Sequence, residues 1–128
     1  MSDETLENLR LELRRGSLIL GVLAGLRTEK YGYTLRKELG EEGLRIDEDA
    51  LYPMLRRLES QGLLTSTWRE EDSRRKRFYL LSKEGAALLA QLEEEWRTLN
   101  TSLNRILSRG RNLGSPQSVS RRRRGPAA

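Results

Sequence analysis

Apolar residues in the first part of the chain return every three or four positions. Leu6, Leu9 and Leu13 are followed on one continuing side by Leu18, Ile19, Val22, Leu23 and Leu26. This spacing predicts a helix over residues 5 to 26, weakened locally by Gly16 and Gly21. A short second helix is expected from Tyr33 to Leu39, closed by Gly40 and Gly43. A third runs from about Asp47 to Gln61 and stops at Gly62. Asp47 and Asp49 are both suitable N-caps, and Pro53 near the first turn leaves the helix start open or kinked. The pattern then changes. Leu63 to Arg69 is rich in Thr, Leu and Trp, and Arg77 to Leu81 contains Phe78 and Tyr79. The polar stretch Glu70 to Lys76 between them reads as the connection of a β-hairpin. Ser82 is placed to cap a long final helix, with Glu84 and Gly85 in its first turn, that reaches about Leu107. Beyond it, Gly, Pro, Ser and Arg cannot support a core.

The predicted chain is mainly α with a small β-hairpin. Its order outlines a winged helix-turn-helix over residues 1–82, a long C-terminal dimerisation helix over 83–107 and a disordered basic tail over 108–128. Topology alone leaves this at the level of fold.

On a helical wheel the third helix gathers Leu51, Met54, Leu55 and Leu58 on a core face. Asp49, Tyr52, Pro53, Arg56 and Ser60 lie opposite, with Arg57 at the flank. That outer face can enter a major groove, where Arg56 and Arg57 suit guanine or phosphate and Tyr52 or Ser60 suits phosphate or base edges. Taken alone, it reads more simply as a solvated face of the kind many helices carry. Arg36 and Lys37 precede it on the second helix, where helix-turn-helix proteins touch the DNA backbone. Arg74, Arg75, Lys76 and Arg77 follow three acids and suggest a basic hairpin tip, either for phosphates or a narrow minor groove, or as protection of an exposed strand.

The final helix holds Leu89, Leu92, Trp96, Leu99, Leu103 and Ile106 at alternating spacings of three and four, an a/d seam expected to pair two copies of the chain. An intramolecular packing face is the other reading. Trp96, mid-seam, is either packing or a flat platform for a small aromatic ligand.

Composition narrows the chemistry. With neither Cys nor His among 128 residues, imidazole and thiol nucleophile systems, disulfides and the usual zinc sites fall away. No motif pairs carboxylates, so an enzyme is disfavoured, and no metal or cofactor is expected. The net charge of +5 is concentrated: residues 108 to 128 hold six Arg and no acid, leaving the rest at −1. Arg121 to Arg124 can attract phosphates or merely solubilise the end. The apolar run from Ser17 to Leu26 is too short to cross a membrane and follows an acidic N-terminus, so a cytoplasmic location is expected.

Several linked motifs make the chain resemble the PadR family of bacterial transcriptional regulators over about Leu9 to Leu107. They begin with Tyr31-Gly32-Tyr33, Ala50-Leu51-Tyr52-Pro53, Leu55-Arg56-Arg57-Leu58-Glu59 and Gly62-Leu63. Trp68, the basic Arg74 to Arg77 with Phe78-Tyr79, Leu81-Ser82, Gly85 and Trp96 complete the set. The single short final helix is similar to the smaller branch of that family. The resemblance implies a homodimeric repressor of a palindromic operator, released in some members by a small ligand. It implies operator contacts from Tyr31, Tyr33, Tyr52, Arg56 and Arg74 to Lys76. Trp96 corresponds to an interface Trp that stacks on planar aromatic ligands in multidrug-sensing relatives. Asp49-Ala50 stands where the family usually has Gly-Thr, and Ser82 where it has Thr. A carboxylate at Asp49 repels phosphate yet can accept from cytosine. A different class, a winged-helix module that docks another protein, would be expected to show an apolar patch where this face carries Tyr and Arg.

Overall fold

The computed structural model describes residues 2–114. In chain order it contains α1 (Asp3–Gly25), β1 (Lys30–Tyr31), α2 (Gly32–Glu41), α3 (Glu48–Ser60), β2 (Leu64–Glu71), β3 (Arg74–Leu81) and α4 (Lys83–Gly114). Two compact units result, one ending at Leu92 and one beginning at Glu93.

The core of the first unit comes from the predicted helical stripes. Val22, Leu23 and Leu26 meet Leu35 and Leu39 of α2 and the α3 face of Leu51, Met54, Leu55 and Leu58, and Leu64 and Tyr79 close it from the sheet. Each fully buried Leu contributes roughly 1.5–3 kcal/mol by leaving water. Both short helices end as their glycines require. Gly43 and Gly62 have positive φ, and the following N–H groups of Leu44 and Leu63 return to the Leu39 and Leu58 carbonyls at 2.8 and 3.0 Å. Asp47 occupies the N-cap of α3 but makes no side-chain capping bond. Pro53 lies in the second turn of that helix, where its missing N–H leaves the Asp49 carbonyl without an intrahelical donor.

The sheet has three strands in the order β1-β3-β2, all antiparallel, and not the two of a simple hairpin. Strand β1 pairs Lys30 with Tyr79 and Tyr31 with Phe78, which ties the start of α2 to the wing. The hairpin is also longer and its turn tighter than the predicted connection over Glu70 to Lys76. Only Asp72 and Ser73 turn, both with positive φ as a two-residue type I′ turn needs, and Glu70 and Glu71 face Arg75 and Arg74 across the ladder. The expectation of a basic tip is therefore corrected. The tip is Asp72-Ser73, and Arg74, Arg75 and Lys76 stand on strand β3.

Ser82 caps α4 as predicted: its Oγ accepts from the Gly85 N–H at 2.9 Å and donates to the Gly62 carbonyl at 2.6 Å. Gly85 is required there, since a Cβ would stand 2.1 Å from the Leu63 carbonyl oxygen. Helix α4 runs seven residues beyond the expected end at Leu107, to Gly114, because Ser108 to Gly114 contains no proline to stop it. The start of the predicted disordered tail is thus helical, and Arg121 to Arg124 lies outside the described residues.

Two members of the predicted dimer seam belong elsewhere. Leu89 is 4% exposed inside the core of the first unit, and Leu92 packs against that core. In the second unit Trp96, Leu99, Leu103 and Ile106 are about half exposed. In the first, Leu6, Leu9 and Leu13 of α1 are also exposed, so the amphipathic stripe of that helix is covered only along its C-terminal half.

Candidate nucleic-acid interface

Helix α3 presents the face the wheel predicts. Asp49, Pro53, Arg56, Arg57 and Ser60 are exposed, and Tyr52 is half-buried beside them. Tyr52 stands upright because Gly32 leaves room for it: a Cβ on Gly32 would lie 2.5 Å from the ring. Ser60 is less available than expected, since its hydroxyl donates to the Arg57 carbonyl of its own helix at 2.8 Å.

A triangle of side chains straps α3 to the wing. The Ser66 hydroxyl of β2 lies 2.6 Å from one oxygen of Glu59, and Arg77 of β3 donates to the other oxygen at 2.8 Å and to Ser66 at 3.0 Å. Glu59 and Arg77 are both partly buried, where a charge-assisted bond is stronger than at the surface. Beyond this strap a cleft of about 310 Å³ opens, lined by Tyr31, Gly32, Tyr52, Arg56, Trp68, Lys76, Arg77 and Tyr79. It brings together the second, third and wing elements that sequence reasoning had treated separately.

Aromatic rings fix the cations around this cleft. Tyr31 stacks on Tyr33 with centroids 6.2 Å apart and tilts against Phe78 at 5.5 Å. The Lys76 ammonium sits 4.4 Å from the centre of the Tyr31 ring and also reaches Glu71 at 3.5 Å. Desolvation is the largest influence on Lys76 and lowers its pKa, but hydrogen bonding and charge from Tyr31 and Glu71 together outweigh it and hold Lys76 above its usual value. Burial pushes the Tyr52 and Tyr79 phenols up, helped at Tyr52 by Glu48 and opposed at Tyr79 by Arg77. Both phenols therefore remain neutral O–H groups throughout the physiological range.

The fold and its basic, tyrosine-bearing helix face match one group of known proteins. A family model described as the Transcriptional regulator PadR-like family matches residues 19–91, from the second half of α1 through the first third of α4. The chain belongs to the PadR-like family of transcriptional regulators. It is 37% identical over 81 residues to the transcriptional regulator Rv3488 of Mycobacterium tuberculosis, covering 62% of this chain and 76% of that protein. Among solved structures, it is similar to a PadR family transcriptional regulator from Eggerthella lenta, with a TM-score of 0.76 and 41% identity over 82% of this chain and 94% of that one. It also resembles a transcriptional regulator from Clostridium thermocellum, with a TM-score of 0.67 and 28% identity over 73% and 96% of the two chains.

The architecture of this PadR-like regulator is a winged helix with a long C-terminal helix, and no helix among the described residues is long and apolar enough to cross a membrane. Within it the predicted contact residues divide into two groups. Arg56, Arg57, Arg74 and Arg75 are exposed, and none has an acidic partner among the described residues. Arg36, Lys37 and Lys76 are engaged. Arg36 donates to the Ile46 carbonyl at 3.1 Å and pairs with Glu48 at 3.3 Å, and Lys37 pairs with Glu41 at 3.4 Å. Arg36 thereby pins the loop ahead of α3. Sequence reasoning missed two features here: the strap through Glu59, and Trp68 among the cleft residues. A polar residue on each of three elements gives no local signal. Trp68 stood out only as part of a family motif.

Proposed function

We propose that this PadR-like regulator is a cytoplasmic, homodimeric repressor that reads a palindromic DNA operator and is relieved by a small, planar aromatic ligand. The observation that carries the reading is the gathering of Tyr52 and Arg56 of α3 with Tyr31 and the wing around one cleft, together with four exposed arginines on α3 and the wing that form no ion pair among the described residues. Helix α3 enters the major groove. Arg56 and Arg57 reach guanine or phosphate, Tyr31, Tyr33 and Tyr52 offer hydroxyl donors, and Arg74 and Arg75 lie along the backbone. Arg36 and Lys37, each paired with an acid, lie beside the DNA backbone at the start of the motif without adding net charge, while Lys76 and Ser60 chiefly hold local geometry.

Dimerisation is assigned to apolar faces that nothing among the described residues covers. Trp96, Leu99, Leu103 and Ile106 form the seam of α4, with Leu6, Leu9 and Leu13 exposed on α1. In the dimer, recognition helices about 34 Å apart, or a multiple of that, suit half-sites on one face of straight DNA. Trp96, 47% exposed, is the platform for the ligand, which must bind the two dimer states unequally to release DNA.

Footprinting on DNA upstream of the protein's own coding sequence tests this directly. A symmetric protected site is expected, with Arg56→Ala eroding discrimination against random duplex and Arg75→Ala weakening both about equally. No protection at any sequence, or the reverse pattern for the two variants, refutes the assignment. For the ligand, Trp96 fluorescence unchanged by every planar aromatic compound that lifts repression removes that part.

A further inference from the structure

We propose that Trp68 is a DNA-contacting residue of the wing, its indole packing against a deoxyribose while Arg75 takes the adjoining phosphate. The proposal rests on the DNA-binding reading above and adds a contact that the basic residues alone do not supply.

Strand β2 alternates its side chains between two faces. Ser66 is on the face turned to α3, as its bond to Glu59 requires, and Trp68 is the next residue on that face. Ser66 is opposite Tyr79 and Trp68 is opposite Arg77. The row therefore starts in the core at Tyr79, is strapped to α3 at Ser66 and Arg77, and reaches solvent at Trp68. Glu59 holds the inner end, and the outer end makes no side-chain hydrogen bond among the described residues. The indole is 50% exposed, and among the described aromatic side chains of the first unit only Tyr33 shares that exposure.

An exposed Trp on the edge strand of a small sheet is a liability, because it invites pairing with other chains. Its surroundings give it a specific use. The Arg77 guanidinium lies 5.5 Å from the ring centre and the Arg75 guanidinium 5.1 Å. Arg77 is neutralised by Glu59, so it props the ring and brings no free charge. Arg75 is exposed and forms no ion pair with Glu70 opposite it on the ladder, so its guanidinium can pair outward. The outer wing thus offers a flat apolar surface with one cation outside any ion pair at its rim. The complementary chemistry is a carbon-rich sugar with a phosphate at its edge, which every nucleotide of a duplex repeats. Trp68 shares its cleft with Tyr52 and Arg56 of α3, so this contact ties wing seating to seating of the recognition helix. A sugar contact carries no base information, so it strengthens operator and random duplex alike and sets the depth at which α3 sits.

The full-length protein labelled with 5-fluorotryptophan carries two reporters, Trp68 and Trp96, and Trp68→Phe assigns their fluorine resonances. The probe is a duplex spanning the footprinted upstream site, with a random duplex beside it. Binding is expected to shift the Trp68 resonance and to suppress its solvent isotope shift on both duplexes. Trp68→Ala is expected to weaken both complexes roughly ten-fold, while Trp68→Phe, which keeps a flat ring, stays within about three-fold of wild type. The labelled wild-type protein gives its answer even if Trp68→Ala fails to fold. A footprint that forms while the Trp68 resonance and its solvent shift stay put overturns this proposal and leaves the DNA-binding reading intact, as does full affinity in a folded Trp68→Ala protein. A response to an added protein but not to duplex DNA overturns it in favour of a protein-docking wing. A wild-type protein that binds no duplex overturns both readings.

Discussion

The strap between Glu59, Ser66 and Arg77 supports a double-mutant cycle whose outcome the geometry fixes in advance. Glu59→Ala removes the acceptor of two bonds, at 2.6 and 2.8 Å, and leaves a partly buried guanidinium whose only other polar partner is Ser66. Hydrogen bonds to charged groups contribute about 1.5–3 kcal/mol each when well shielded. Glu59 and Arg77 keep 27% and 33% of their side-chain surface, so solvent screening brings the pair toward the lower end. A loss of roughly 1–2 kcal/mol is expected for Glu59→Ala and for Arg77→Ala. The double variant should lose no more than either single change, giving a coupling of about 1–2 kcal/mol. At the 4–8 °C per kcal/mol typical of a domain near this size, each single variant should melt about 5–10 °C lower. Because the protein is expected to dimerise, melting must be compared at one protein concentration. DNA binding supplies a second readout. With the wing unstrapped from α3, operator affinity should fall further than affinity for random duplex, since only operator binding needs both elements in register. Strictly additive losses in stability would show that the three residues do not act as a unit. Equal losses on both duplexes would show that the strap has no part in discrimination.

Other expectations follow from the same geometry. Affinity for DNA should fall steeply with salt, by roughly 10³ to 10⁵ between about 50 and 200 mM if a dimer makes six to ten phosphate contacts; a nearly flat titration would contradict the assignment of Arg56, Arg57, Arg74 and Arg75. Gly32→Ala should push the Tyr52 ring off its seat and weaken operator binding about ten-fold with only a small change in melting temperature, and an unchanged operator affinity would remove Tyr52 from the interface. The pH dependence has a defined sign. Tyr52 and Tyr79 hold their protons more tightly in the folded protein than at the ordinary value of 10.0, so their contribution to stability is complete below that pH and is lost as pH rises through their higher folded values. With no His or Cys side chain to titrate, melting temperature and DNA affinity should be level from about pH 6 to 8.5 and fall only in alkali, and a step near neutrality would refute this. Leu103→Glu, on the exposed seam, should yield a monomer by sedimentation with the first unit still folded; a persistent dimer would place the interface elsewhere.

Periodicity carried most of the fold because most of its elements have one wet and one dry side. The buried face of α3 matched the wheel residue by residue, and Gly43, Gly62 and Ser82 marked boundaries through backbone conformation and capping. What escaped was structure without that contrast. Strand β1 has two residues and no period to detect. The outer wing is exposed on both faces, so Glu70, Glu71, Arg74 and Arg75 read as a loop although opposite charges across the ladder and a two-residue turn extend the strands. The heptad pattern of α4 did not reveal that its first two positions, Leu89 and Leu92, face this chain's own core, because an apolar stripe does not name its partner. In the same way, Arg56, Arg57 and the wing cations could be found from composition and motif, but their freedom to bind could not, since that depends on which acids other elements bring near.

That last point bears on how a nearly neutral body can serve a polyanion. Residues ahead of the C-terminal Arg-rich stretch sum to −1, so no overall field draws this unit to DNA. The fold instead sorts its cations. Glu48 takes Arg36, Glu41 takes Lys37, Glu29 takes Arg69, Glu71 and Asp72 take Lys76, and Glu59 takes Arg77. Arg56 and Arg57 on α3 form no ion pair among the described residues, and Arg74 and Arg75 on the wing have only their cross-strand neighbours Glu71 and Glu70, beyond ion-pair distance; these are the two elements that a winged helix turns toward a duplex. Non-specific attraction scales with the number of phosphates neutralised, whereas discrimination needs the base-reading face seated in the groove. Pairing off the neighbouring cations of α2 and the wing lowers the first without touching the second. Removing one of these acids should therefore raise affinity for random DNA more than for the operator. Glu71→Gln with Asp72→Asn removes both acids that pair with Lys76 at the wing and is the direct case: a narrowed ratio of operator to random binding is expected, and an unchanged or widened ratio would show that charge sorting has no role in specificity.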